Sequence, residues 1–234
     1  MKLAIMQPYL FPYIGYFQLI NAVDKFVFYD DVNYIKQGWI NRNYILANNQ
    51  KYLFSIPIEK ISSYKKINEV KINSFIFEKT KKKLLKTIEQ SYKKAPFFKQ
   101  TYNIFVTILN SNDKFISNYA RNSVIKISEY LKINTEIINT SKIYNNDYLK
   151  SSERIFDICK QENANWYINP IGGKELYSIK EFNKRKIYLN FLETSNIKYN
   201  QVSNQFIPFL SIIDVMMFNS PEEIKKMLEN YTLI

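Results

Sequence analysis

Several side chains in this chain have the types and spacing that chemistry needs. Asp30 and Asp31 close the apolar run 25–29 and supply carboxylates able to accept a proton or hold a cation. Neighbouring residues of a strand point to opposite faces, so one of the two aims into a shared site if the strand continues. Arg42 stands between Asn41 and Asn43, three residues after Trp39. It offers a planar fork for a phosphate or carboxylate beside an aromatic plane for stacking. The competing reading is a structural ion pair between Arg42 and Asp30 or Asp31. Upstream, Gln7-Pro8-Tyr9-Leu10-Phe11-Pro12-Tyr13-Ile14-Gly15-Tyr16 joins an apolar run to a helix. Pro8 and Pro12 fix φ there, and Gly15 lets the chain turn closely into the helix. Downstream, Asn169-Pro170-Ile171-Gly172-Gly173 places glycine where backbone approaches a neighbour closely. The candidate catalytic residues are Asp30, Asp31 and Arg42. The candidate substrate contacts are Gln7, Pro8, Tyr9, Tyr13, Gly15, Tyr16, Trp39, Asn41, Asn43, Gly172 and Gly173, with no metal site.

The elements that must position these groups follow from periodicity. Residues 2–6 read as a buried strand, residues 15–22 as a helix ending near Asp24, and 25–29 as a second strand. Strand, helix and strand within about thirty residues make a βαβ unit with parallel strands, so both strand ends face one side and Gln7 to Tyr9 meet Asp30 and Asp31. Strands at 44–46 and 52–58 flank the turn Ala47-Asn48-Asn49-Gln50, and a short strand is expected at 69–72. Helical periodicity covers 75–92, 97–109 and 115–131, then a strand at 135–138 and a helix from Ser151-Ser152-Glu153, with capping chemistry, to about Gln161. Strand 166–168, helix 178–184 and strand 186–192 form a second βαβ-like stretch. Helices at 211–218 and 221–230 close the chain, the last opened by Pro221 in its first turn.

Composition excludes several classes of function. Histidine is absent from the 234 residues, which removes Ser-His-Asp and Cys-His catalysis and histidine metal sites. One cysteine, Cys159, rules out an internal disulfide, and its place on an amphipathic helix predicts a buried, inert thiol. The net charge of +12 comes mostly from lysine, with arginine only at 42, 121, 154 and 185, so no sequence-specific nucleic-acid reading is expected. Lys79, Lys81, Lys82, Lys83 and Lys86 lie on a helix that keeps Leu84, Leu85 and Ile88 as its apolar stripe. They read as a solvated face or as a docking surface for an acidic partner. No apolar stretch long enough to span a membrane and no signal-peptide pattern is present, so a cytoplasmic protein is expected.

The block from Gln7 to Phe17, then Ala22-Val23-Asp24, the tyrosine-aspartate strand end and Trp39-Ile40-Asn41-Arg42-Asn43 resemble the WbqC-like family. Ser91 to Phe98, Tyr167-Ile168 with Gly172-Gly173 and Tyr177, and Phe206-Ile207-Pro208 followed by Ser211-Ile212-Ile213-Asp214 look like further blocks of that family. The resemblance implies a bacterial cytoplasmic protein of surface-polysaccharide biosynthesis, of O-antigen or capsule. It also implies modification of a nucleotide-linked amino sugar by transfer of an acyl or aminoacyl group to the sugar amine. A carboxylate such as Asp30 or Asp31 would take the amine proton, and Arg42 or the N–H groups of Gly15 and Tyr16 would face the developing oxyanion. No resident cofactor is implied. The donor that fits is a thioester on coenzyme A or on a carrier protein, an acidic carrier giving Lys79 to Lys86 a purpose.

Tyr13-Ile14-Gly15-Tyr16 also occupies the place and spacing of the His-x-Gly-His signature of nucleotidyltransferases and related ligases, which makes adenylyl transfer the alternative reaction. A non-catalytic basic binding protein is a third reading. The expected fold is α/β, a mostly parallel Rossmann-like sheet with a nucleotidyltransferase-like core. It spans a single domain 1–234, with a helical insertion at 75–132 and the second part of the core with C-terminal helices at 133–234.

Overall fold

A computed structural model describes residues 1–60, 64–203 and 205–234. The first apolar run forms strand β1 (Lys2–Met6), helix α1 (Ile14–Asn21) packs back across it, and strand β2 (Lys25–Phe28) pairs with β1 in parallel. The register runs from Leu3 opposite Lys25 to Met6 opposite Phe28, as a βαβ unit requires. Strands β3 (Arg42–Ala47) and β4 (Gln50–Ser55) form a separate antiparallel hairpin. Asn48 and Asn49 turn it with φ of 51° and 58°, the left-handed pair whose twist suits a two-residue hairpin loop.

Three helices follow, α2 (Ser74–Tyr92), α3 (Phe98–Leu109) and α4 (Ile116–Tyr130). The chain then re-enters the main sheet through β5 (Glu136–Ile138), α5 (Ser151–Gln161), β6 (Trp166–Pro170), α6 (Ile179–Lys184) and β7 (Tyr188–Thr194). It closes with α7 (Ile212–Phe218), α8 (Pro221–Leu228) and β8 (Tyr231–Leu233). The six-stranded sheet has the order β5-β2-β1-β6-β7-β8, and every pairing is parallel except β7 with β8. Strand order therefore reverses between β1 and β6. In such Rossmann-like sheets ligands bind outside the carboxyl ends of the strands at this reversal.

Both faces of the sheet are covered, which explains why its strands read as continuous apolar runs. Leu3, Ile5 and Val27 pack with Ile155, Phe156, Cys159 and Phe182 from α5 and α6. The alternate residues Ala4, Phe26 and Phe28 pack on the opposite face with α1 and with α2 to α4. Cys159 is fully buried and desolvation pushes its thiol up to about 12, as an inert thiol requires.

The structure departs from expectation at three places. Residues 69–72 do not form a strand: a single 3-10 turn covers Ile67–Glu69, and the remainder makes isolated bridges, Ile58 to Ile72 and Lys71 to Phe115. No side chain caps α5, because the N-cap position falls on Lys150, whose ammonium cannot accept a bond from the helix N–H groups. Strand β8 was not expected, since three residues at a chain end carry too little periodicity to read. By contrast, Ser220, Pro221 and Glu223 open α8 with a full capping box.

The turn after β1 is held by side chains from three distant parts of the chain and by Tyr16 of the adjoining helix. Phe11 is buried with φ 43°, a backbone state that costs a bulky residue free energy and persists only where its surroundings impose it. Its N–H donates to Ser123 Oγ of α4 at 2.9 Å. Its carbonyl accepts from Asn43 Nδ2 at 2.8 Å and from Ser211 Oγ at 2.7 Å. Asn43 also reaches the Leu10 carbonyl at 3.1 Å, the Leu10 N–H donates to the Trp39 carbonyl, and Tyr16 Oη donates to the Gln7 carbonyl at 2.8 Å. Ser211 in addition caps α7 by accepting from the Ile213 N–H. Ser211→Ala is expected to cost about 1–2 kcal/mol by removing both bonds, which at this chain length lowers Tm by about 3–8 °C in a thermal melt. An unchanged Tm would show that Asn43 alone holds the Phe11 carbonyl.

Candidate functional site

The locked turn forms one wall of an open aromatic cleft. Tyr9, Pro12 and Tyr13 from the turn, Trp39 and Asn43 from the excursion into β3, and Phe209 ahead of α7 line a cavity of 250 Å³. Trp39 is 40% exposed and Phe209 72% exposed, so both rings present faces to solvent. Phe209, like Phe11, has a left-handed backbone with φ 58°. Cations flank the rings: the Arg42 guanidinium lies 5.9 Å from the Trp39 ring centre, and Lys51 Nζ lies 6.0 Å from both Tyr44 and Phe209. Burial raises the hydroxyl pKa of Tyr9 and of Tyr13, although a hydrogen bond with the Thr194 side chain partly offsets the effect at Tyr13. Both hydroxyls therefore stay protonated at neutral pH and can donate. An aromatic surface with a few fixed polar groups and cations at its rim suits a sugar or nucleobase carrying phosphate.

Close packing explains Gly15. A Cβ there would lie 2.5 Å from Thr194 Oγ1 and against the Tyr13 ring, so only glycine lets the start of α1 approach the end of β7. Tyr16 is buried under Tyr9, and its hydroxyl is spent on the Gln7 carbonyl, so it supports the turn and does not face a ligand. Pro8 is buried and Gln7 half-buried. Asn41 is also structural, accepting from Tyr34 Oη at 2.7 Å and donating to the Ile56 carbonyl at 2.9 Å. Asn43 lines the cleft while its amide holds the turn. Gly172 and Gly173 lie in a 3-10 turn after β6, away from the residues of the aromatic cleft. Gly172 borders open space, whereas a Cβ at Gly173 would strike the Asn169 amide.

The two aspartates and Arg42 do not form one constellation. The strand ends do meet as expected, the Tyr29 N–H donating to the Met6 carbonyl at 2.8 Å. Yet Asp30 accepts from Thr140 Oγ1 at 2.6 Å and faces Arg121 Nη1 at 3.6 Å. Asp31 accepts from Arg154 Nη2 at 2.5 Å and from Ser141 Oγ. Both carboxylates are at most 5% exposed. Desolvation raises the Asp30 pKa, partly offset by Thr140 and Arg121. Arg42 instead donates to the carbonyls of Gly38, at 3.2 Å, and Gln37. The aspartates pair instead with Arg121 and Arg154, which come from helices α4 and α5, so the competing reading of an Arg42–aspartate ion pair does not hold. Asp31 lines a separate polar cavity of 370 Å³ with Lys66, Lys142, Asn145 and Asp147.

Sequence reasoning placed Asp214 only within a family block, with no individual role, and did not single out Thr194 or Phe209. Asp214 is fully buried on α7 and has no cation partner among the described residues. It accepts from Tyr92 Oη and Tyr199 Oη, each at 2.7 Å, and from Gln201 Nε2 at 2.8 Å. Tyr92 Oη in turn accepts from the Leu46 N–H at 2.7 Å, so this carboxylate ties α7, α2, β3 and residues 199–201 together. The signal was the spacing of Tyr199, Gln201 and Asp214 among aromatic residues.

Fold and site together define a Rossmann-like α/β protein with an aromatic cleft beside the carboxyl ends of its parallel strands. The chain belongs to the WbqC-like protein family, whose profile matches residues 7–226. It is 28% identical over 221 residues to the uncharacterized protein Rv1507c of Mycobacterium tuberculosis (strain ATCC 25618 / H37Rv), covering 93% of each chain. No solved structure matches it. Among the described residues, no helix is long and apolar enough to cross a membrane.

The Asp214 network gives a pH signature. Burial raises the folded-state pKa of Asp214, and its three hydrogen bonds offset part of that rise. Between the unfolded and folded pKa values the native state binds more protons, so this group's contribution to stability falls as pH rises through that window and is flat above it. In urea unfolding, the stability of the wild type minus that of Asp214→Asn is expected to decrease from pH 4 upward and then level off. A difference that increased with pH would contradict a raised native pKa.

Proposed function

We propose that the protein binds a nucleotide-linked amino sugar in the aromatic cleft and transfers an acyl or aminoacyl group from a thioester to the sugar amine. The observation that carries this reading is the cleft itself, where the rings of Tyr9, Tyr13, Trp39 and Phe209 stand beside Arg42 and Lys51. Ring faces stack on a base or on the C–H face of a hexose, and the flanking cations attract the diphosphate. Membership of the WbqC-like family adds weight, through the surface-polysaccharide setting that the sequence resemblance implies.

Among the described residues, no carboxylate lines the cleft, so in this reading the chemistry rests on orientation and on donors. The sugar amine attacks the thioester carbonyl, the C–N bond forms, the C–S bond breaks, and the thiol leaves. The Tyr9 and Tyr13 hydroxyls, kept protonated by burial, donate to the developing oxyanion, and water relays the amine proton to the departing sulfur. Asp30 and Asp31 act at one remove in this reading, fixing the end of β2 through Arg121 and Arg154. The exposed Lys79, Lys82, Lys83 and Lys86 of α2 give an acidic carrier protein a surface to meet.

Adenylyl transfer through the Tyr13-Ile14-Gly15-Tyr16 signature fits less well, because Tyr16 has no hydroxyl free for a phosphate. The test is incubation of the protein with nucleotide-linked amino sugars and a panel of acyl and aminoacyl thioesters, read by mass spectrometry. A new amide on the sugar is expected, and Trp39→Ala is expected to lower kcat/KM at least about tenfold by removing one stacking face, with an unchanged apo Tm. Pyrophosphate release from ATP or CTP with no amide formed would favour adenylyl transfer instead.

A further inference from the structure

A second cavity, of 260 Å³, adjoins the aromatic cleft and shares Tyr13 and Phe209 with it. Its lining is chemically two-sided. Ile14, Ile197, Phe206, Pro208, Leu210 and Val215 supply an apolar interior, while Thr194, Ser195 and Asn196 sit on the side where β7 ends. Tyr199 also lines it but adds little polarity, because its hydroxyl donates to Asp214 and accepts from Gln201 at 3.2 Å. Burial and the neighbouring carboxylate hold that hydroxyl protonated and bound. Water inside would find few partners, whereas an apolar chain would find matching walls. Thr194 and Tyr13 both line this cavity, and Tyr13 also lines the aromatic cleft, so the two residues mark the boundary between the cavities.

We infer that this second cavity is an acyl subsite, which seats the hydrocarbon part of the donor with its carbonyl at Thr194 and Tyr13, facing the sugar amine in the first cavity. The inference rests on the transfer reading for its reaction but not for its binding. An apolar pocket of limited depth acts as a ruler. Each methylene removed from water adds to affinity until the cavity is full, and further carbons add nothing.

Affinities of acyl N-acetylcysteamine thioesters, from acetyl to dodecanoyl, measured calorimetrically on the whole protein without sugar, test the inference. Affinity is expected to rise about fourfold per added methylene and to level off at one chain length. Ile197→Trp fills the cavity from its half-buried side and is expected to move that length to a shorter one. Retained binding of uridine diphosphate at the aromatic cleft reports that the variant is folded. Affinity independent of chain length, or a plateau that Ile197→Trp leaves in place, would overturn the subsite. A chain-length ruler with no amide product in any combination would retain the subsite and remove the transfer reading. Amide formation without chain-length dependence would do the reverse.

Discussion

The structure depends on the way the turn after β1 is pinned. Seven residues between a strand and a helix cannot satisfy their own peptide groups, and one of them, Phe11, is buried in a left-handed conformation. Ser123, Asn43 and Ser211 meet those groups from α4, β3 and the start of α7. The same three contacts draw the helical segment, the hairpin and the C-terminal helices onto the carboxyl edge of the sheet. Because the turn is fixed, Tyr9, Pro12 and Tyr13 are fixed, and a cleft exists for Trp39 and Phe209 to complete.

Charge plays a different part from the one that strand-end aspartates suggest. Asp30 and Asp31 are buried opposite arginines from α4 and α5, and the hydroxyls of Thr140 and Ser141 fill their remaining acceptor capacity. Buried pairs of this kind fix geometry more than they add stability. Here they hold the end of β2 against β5 and the helices. In the transfer proposed above, polarisation falls to neutral donors, the tyrosine hydroxyls of the cleft. The absence of histidine is consistent with a site that works by orientation and polarisation.

Much of the fold was legible because local signals agreed. Continuous apolar runs, helical stripes and the Ser220-Pro221 cap each pointed to the element that forms, and the first βαβ unit followed from chirality. The aromatic residues of the cleft were legible as well, since Tyr9, Tyr13 and Trp39 lie in a proline-stiffened turn and a polar loop. What sequence could not show was long-range pairing. Arg121 and Arg154 reach the aspartates across more than ninety residues, and only the folded chain reveals that they displace Arg42. Asn41 and Asn43 look like ligand contacts for the same reason, yet their amides go to backbone and tyrosine groups of the surrounding loops. Phe209 and Thr194 become neighbours of Tyr13 only once α7 and β7 are in place.

The central claim is that the cleft between Tyr13, Trp39 and Phe209 is where the small molecule binds. Tryptophan reports it directly, because Trp39 and Trp166 are the two tryptophans of the chain and Trp166 lies in the sheet at the start of β6. In Trp166→Phe, the remaining fluorescence comes from Trp39. Titration with a uridine diphosphate-linked amino sugar should then quench or shift that emission saturably, at the affinity measured calorimetrically. Calorimetric binding with no change in Trp39 emission would place the ligand elsewhere and contradict the account.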